Sequence, residues 1–237
     1  TAISTPSLAL SNATRETLRI GDLVDSMLGH LQDALRGSQP IQAKDLRRID
    51  DDIDALYTAV KLYLAQVQQE DLSETDSRRW AEIIEFSSNL ERAGDLIERM
   101  LGKIQDEKTA QRHAFSESGL EELTALHERL LGNLRLGLSV FFSADADAAR
   151  QLLREKRRFR IQERRLTHLH VERLHRQVVK SLETSSLHLE LIDDMKRLNS
   201  LFCASAYAVL GSHETGALLA EEAVSYTHLT LPTTPYV

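Results

Sequence analysis

Two short acidic runs carry the residues best suited to chemistry. Asp50 and Asp54 lie four residues apart, and so do Glu91 and Asp95. On a helix that spacing is one turn, so each pair projects from one face, at the margin of its apolar stripe. If the two helices are antiparallel neighbours, four carboxylates can converge. Oxygen-only donors of this kind suit hard divalent cations, which take about six ligands including waters. The competing reading is that these carboxylates are solvated, or paired with nearby Arg47, Arg48 or Arg92.

A second feature is a basic stretch. Between Arg150 and Lys180 stand eleven Lys/Arg against three Glu, in a chain whose formal net charge is −7. Arg154, Arg157, Arg158, Arg164 and Arg165 are its densest part. Such a segment can face an anion or an anionic membrane surface. It can equally pair within the molecule, with the acidic first half, or form a plain solvated face, and the sequence leans to this second reading. His168, His170 and His175 share that helix with Arg164, Arg165, Arg173 and Arg176, which disfavour a cation, so the histidines read as structural.

The elements that must position these groups are helices. Leu46, Ile49, Ile53, Leu56, Tyr57, Val60, Leu64 and Val67 recur at three- and four-residue steps, as do Trp80, Ile83, Ile84, Ser87, Leu90, Gly94, Ile97, Leu101 and Ile104. No run alternates with period two. Only 4 Pro and 10 Gly interrupt the chain, so the breaks are easy to place. They give six helices: 6–36 opened by Pro6, 43–69, 74–108 capped by the Asp71-Leu72-Ser73 run, 120–142, 147–182 capped by Ser143 or Asp145, and 187–210 ended by Gly211. Short connections make neighbours antiparallel. Trp80 reads as a packing anchor, and the single Cys203, within an apolar run, as a buried structural thiol.

The chain also repeats itself. Shifted by 105 residues, EFSSNLERAGD (85–95) falls on ELIDDMKRLNS (190–200); shifted by 113, DDDIDALY (50–57) falls on ERRLTHLH (163–170). The matches lie in the same order on corresponding helices, so the expected architecture is all-α, two tandem three-helix antiparallel bundles over 1–113 and 114–222. Residues 223–237, with the run VSYTHLTLPTTPYV, read as a non-native or flexible tail.

The runs NLERAGD (89–95) and DDDID (50–54) resemble the PhoU family, whose fold is a tandem pair of three-helix bundles. The opening run TPSLALSNATRETLRIGDLVDSML, together with HVERL and DMKRLNS, is similar to the branch found at the cytoplasmic end of bacterial sodium/phosphate cotransporters. The likeness spans about Thr5 to Leu210. It implies a non-catalytic regulatory domain on the cytoplasmic face of the inner membrane, partnered by its own transmembrane part, with homo-oligomers open. It also implies that Asp50, Asp54, Glu91 and Asp95 serve one divalent metal (Mg, Mn, Fe or Zn), since Glu91 and Asp95 match the family's E-x-x-x-D pattern. In the repeat these four become Glu163, Thr167, Lys196 and Ser200, so a second equivalent site is not expected. Glu190 and Asp194 form another E-x-x-x-D out of register.

Other classes fit less well. The net charge of −7 argues against nucleic-acid binding. The longest uncharged stretch, Leu198 to His213, is shorter than the roughly 20 apolar residues of a membrane span. A di-iron carboxylate enzyme needs two Glu-x-x-His motifs, and only Glu172-x-x-His175 is present. The start at Thr1, without Met, reads as the inside of a longer protein. A free-standing PhoU-type metal-binding regulator is the alternative function.

Overall fold

The computed structural model describes residues 5–38, 41–67, 72–109, 115–175 and 185–211. They form α1 (Pro6–Arg36), α2 (Ala43–Leu64), α3 (Glu74–Thr109), α4 (Glu117–Ser143), α5 (Ala146–His175) and α6 (Ser185–Phe202). A turn at Cys203 separates α6 from a further helical segment, 204–211. The expected tail, Arg176, Lys180 and the 113/114 boundary lie outside the described residues.

The helix ends are set by local chemistry. Pro6 occupies the first turn of α1, where its missing N–H costs nothing. Gly37 ends that helix at φ 75°, and the N–H groups of Gly37 and Ser38 return to the carbonyls of Ala34 and Asp33. Ser73 Oγ accepts the Asp76 N–H, Ser116 Oγ accepts that of Gly119, and Asp145 Oδ1 accepts that of Ala148. Of the two caps the sequence offers for α5, Asp145 is therefore the one used at the first turn. α2 stops five residues short of expectation, because three-residue hydrogen bonds from Gln66 and Val67 tighten its end while Val67 stays buried.

Packing follows the apolar stripes. α2 lies against α1 and α3, and α5 against α4 and α6; α1·α4 and α3·α6 join the two three-helix groups. One continuous core runs through both, from Ala9 and Ile20 through Ile53, Ile97 and Leu130 to Phe202. Phe86 stacks on Phe141 across α3 and α4 with ring centroids 4.6 Å apart. At the α1·α4 seam the buried His127 donates from Nε2 to the Leu28 carbonyl at 2.7 Å, which fixes its tautomer. Burial holds that imidazole below its ordinary pKa.

The expected single helix over 187–210 is interrupted by a turn at Cys203, where the Ala206 N–H reaches back only three residues to the Cys203 carbonyl. Beside the turn, the backbone of Gly137 of α4 comes so close to Phe202 that a Cβ would not fit, and the Gly137 carbonyl accepts the Ser205 hydroxyl at 3.1 Å. Cys203 is fully buried and burial pushes its thiol up to about 12, which leaves it without nucleophilic character at neutral pH. Trp80 donates from Nε1 to the Leu64 carbonyl at 3.2 Å, anchoring α3 to the end of α2.

Candidate metal centre

The carboxylates of α2 and α3 do converge. Asp54, Glu91 and Asp95 each offer an oxygen, and those oxygens all lie within 4.8 Å of one another. Asp54 is exposed, whereas Glu91 and Asp95 are half-buried. Asp50 sits one turn away, deeper in the seam, with Oδ1 buried and lacking a hydrogen-bond partner. Gly94 makes the approach possible: a Cβ there would lie 3.1 Å from Ile53 Cδ1 and 3.8 Å from Asp50 Oδ1. An alanine there would require the Ile53 Cδ1 methyl to give by a few tenths of an ångström.

The electrostatics are those of a crowded anionic site. Burial, then the charges of Glu98, Asp54, Asp95 and Asp51, pushes the Asp50 carboxyl up to about 6. Burial and the neighbouring Asp95 and Asp54 also raise Glu91, opposed by Lys61 and Arg92. Among the described residues none of Asp50, Asp54, Glu91, Asp95 and Glu98 has an ion-pair partner, and Arg48 turns to Asp45 instead. Pairing with Arg47, Arg48 or Arg92 is therefore not how this cluster is relieved. Glu98 joins the cluster although the four-residue motif does not include it. Its signal is present in the sequence, since Glu91, Asp95 and Glu98 follow one another at helical steps on α3.

Three converging carboxylates without His or Cys match magnesium, manganese or ferrous iron better than zinc, which favours nitrogen and sulfur. A cation there would replace repulsion among the carboxylates with attraction, and it would bind more tightly once Asp50 is deprotonated. Among the described residues the second half holds no counterpart. At the aligned positions Lys196 and Ser200 are exposed, and Lys196 pairs with Asp193. The out-of-register Glu190 and Asp194 are bridged by Lys103 Nζ at 3.1 Å from each. An ammonium from α3 stands where a metal would be needed.

The basic helix pairs with its own half. Arg158 and Arg129 share Glu155, Arg150 meets Asp147, and Arg173 meets Glu122 of α4 through two hydrogen bonds of 2.7 Å. Pairing with the acidic first half is not seen among the described residues. Arg154, Arg158, Arg164 and Arg165 are exposed and Arg157 is half-buried. Of the three histidines of α5, His168 and His175 are exposed, while His170 is buried and stacks on His188 of α6 at 4.3 Å. Burial, then the charges of His188 and Arg173, lowers His170 to about 4. Burial would raise Glu122, but His188 and Arg173 outweigh it and hold that carboxyl at about 2. Glu122, His170, Arg173 and His188 thus form one buried polar knot across three helices, which no spacing within a single helix could disclose.

The fold defines a class: a six-helix bundle of two three-helix groups, here with an acidic seam in the first. Crystal structures of PhoU from Pseudomonas aeruginosa and of the phosphate transport system regulatory protein PhoU from Streptococcus pneumoniae superpose on it with a TM-score of 0.75 each. They cover 89% and 87% of this chain, and 99% and 95% of their own, at 17% and 19% identity, which establishes the shared fold. Residues 17–104 match the family model of the PhoU domain, a stretch that includes Asp50, Asp54, Glu91 and Asp95. Among curated proteins the chain is similar to YjbB, a candidate inorganic phosphate export protein. It is 59% identical over 209 residues to that of Escherichia coli strain K12, and 57% to that of Salmonella typhimurium strain LT2. The match covers 88% of this chain but 38% of those relatives, so the chain spans less than two-fifths of their length.

Proposed function

We propose that this chain is a non-catalytic regulatory domain of a phosphate transport protein, and that its α2–α3 seam holds one divalent cation. The observation that carries the reading is the 59% identity over 209 residues to relatives named for inorganic phosphate export. The fold alone fits a free-standing regulator equally, since PhoU of Pseudomonas aeruginosa is matched over 99% of its length. The much higher identity to longer proteins favours the domain reading. Among the described residues no helix is long and apolar enough to cross a membrane, so translocation itself belongs to other parts of such a protein.

Asp54, Glu91 and Asp95 supply the cation's ligands in this proposal, with Asp50 and Glu98 completing the negative field. The ion clamps α2 to α3 and so ties the first bundle's geometry to metal availability. Sodium coupling, the finer form of the reading, rests on the likeness of residues 5–28 to the junction of sodium/phosphate cotransporters. The relatives' names speak only of phosphate export.

Two measurements test it. In proteoliposomes holding the full-length protein, deleting this domain changes the rate or control of phosphate flux, and imposing a sodium gradient tests the coupling. Flux indifferent to the deletion defeats the regulatory role. Elemental analysis of the purified chain is compared with Glu91→Ala/Asp95→Ala and with Glu190→Ala/Asp194→Ala. Metal should be lost only in the first pair, and equal content in all three removes the site.

A further inference from the structure

We propose that the outer face of α5 is a docking surface for an anionic phospholipid bilayer. This rests on the proposed function, which sets the domain beside a membrane, and on three observations about α5.

The first is geometric. Arg154, Arg157, Arg158, Ile161, Arg165 and His168 follow one another at three- and four-residue steps and so share one face, about 20 Å long at the rise of an α-helix. The opposite face carries Ala149, Leu152, Phe159, Leu166 and His170 into the core. Among the described helices α5 is a flanking one, packed chiefly on α4 and α6.

The second is the charge left over. Most carboxylates on or beside this helix are already engaged: Glu155 by Arg129 and Arg158, Asp147 by Arg150, Glu122 by Arg173, and Glu172 by His168. Among the described residues Arg154, Arg160, Arg164 and Arg165 have no carboxylate partner. Nine Lys/Arg against four Asp/Glu on this helix therefore leave guanidinium groups for an external anion. Guanidinium forks match phosphate oxygens two at a time.

The third is shape and context. Ile161 is 46% exposed in the middle of the arginine face, an apolar side chain at the depth where a bilayer offers acyl chains and the arginines can snorkel to headgroups. The acidic seam lies on α2 and α3, elements that do not pack on α5. A flat bilayer meets only the basic flank. A nucleic acid following the surface further would meet those carboxylates.

Vesicle flotation with the 237-residue chain tests this. The probe is phosphatidylglycerol in phosphatidylcholine vesicles, against phosphatidylcholine alone. The chain should float only with the anionic vesicles and release as salt is raised. Arg154→Glu/Arg158→Glu/Arg165→Glu should lower partitioning on the order of 100-fold, given about 1 kcal/mol per basic residue near such a surface. Lys44→Glu/Arg47→Glu/Arg48→Glu on α2 changes net charge equally and should retain binding. The proposal falls if the chain ignores anionic vesicles or floats equally on both. It also falls if the α2 variant loses as much, or if inorganic phosphate displaces the chain beyond its ionic strength, which marks a free-phosphate site. Binding to an RNA duplex or to a second copy of the chain, without vesicle binding, overturns it as well. The comparison of the two lipids needs no variant, so it stands even where a substituted chain misfolds. Flux measurements on the full-length protein judge the transport reading separately.

Discussion

The ammonium of Lys103 on α3 lies 3.1 Å from the carboxylate of Asp194 on α6, and Asp194 is buried. It touches Glu190 at the same distance. Burial would lower the lysine's pKa, but both carboxylates outweigh it and raise it, so the ammonium stays charged. One contact thereby explains two things: how α3 is fastened to α6, and why the second E-x-x-x-D pair is no metal site.

Removing the lysine leaves the buried Asp194 with only Arg197, 4.0 Å away, as a cationic neighbour. Lys103→Met should cost about 1 kcal/mol, because the ammonium is 39% exposed and solvent screens the pair. Asp194→Asn added to it should restore most of that loss. Urea unfolding of the single and double variants measures both, and additive losses would contradict the pairing.

Asp50 gives a pH dependence of definite sign. Its carboxyl rises from 3.8 to about 6 on folding, so its favourable contribution is present below the unfolded pKa and is lost as pH rises through about 6. Metal-free Asp50→Asn should accordingly be more stable than the parent at pH 8, by about 1 kcal/mol once solvent screening of this half-buried group is allowed for. The difference should vanish near pH 4. Thermal unfolding in chelator across that range checks it.

His170 behaves in the opposite sense. It faces His188 of α6 together with Arg173 and, further off, Glu122, and its pKa falls to about 4. A depressed folded pKa contributes stability above the unfolded value of 6.5, lost as pH drops toward 4. His170→Phe keeps a flat ring against His188 but cannot bind the proton. It should flatten that acid limb by up to about 3 kcal/mol. An unchanged slope between pH 6.5 and 4 would assign the limb to other groups.

Two glycines of α4 should respond oppositely to alanine. A Cβ on Gly137 would collide with the Phe202 carbonyl oxygen, a backbone atom that cannot rotate aside, so Gly137→Ala should cost about 2 kcal/mol. A Cβ on Gly132 meets nothing, and Gly132→Ala should stabilise the helix by up to about 1 kcal/mol. Melting temperatures of the two variants compare them directly.

Much of this is legible in one dimension. Apolar residues at helical steps, Pro6, Gly37, Ser73 and Asp145 fix helix number and most ends, because periodicity and caps are local properties. Asp54, Glu91 and Asp95 can be paired from their spacing and the antiparallel order of α2 and α3, and their oxygens meet within 4.8 Å. Glu98 is readable too, at the next helical step, but it falls outside the four-residue motif that draws the eye.

The set of helices and the face each presents are thus local properties of the chain. Tertiary structure decided which faces meet, and that choice governs charge. Among the described residues it left the α2–α3 carboxylates without a counter-ion and gave Lys103 to Glu190 and Asp194. It also buried Glu122, His170, Arg173 and His188 together from three helices. Spacing along one helix reports a neighbour one turn away, whereas desolvation and Coulomb interactions depend on groups brought close by packing, often far apart in the chain. The acidic motif is written in the sequence. That this motif is left unneutralised among the described residues while the out-of-register Glu190 and Asp194 are closed by a lysine is a property of the folded molecule.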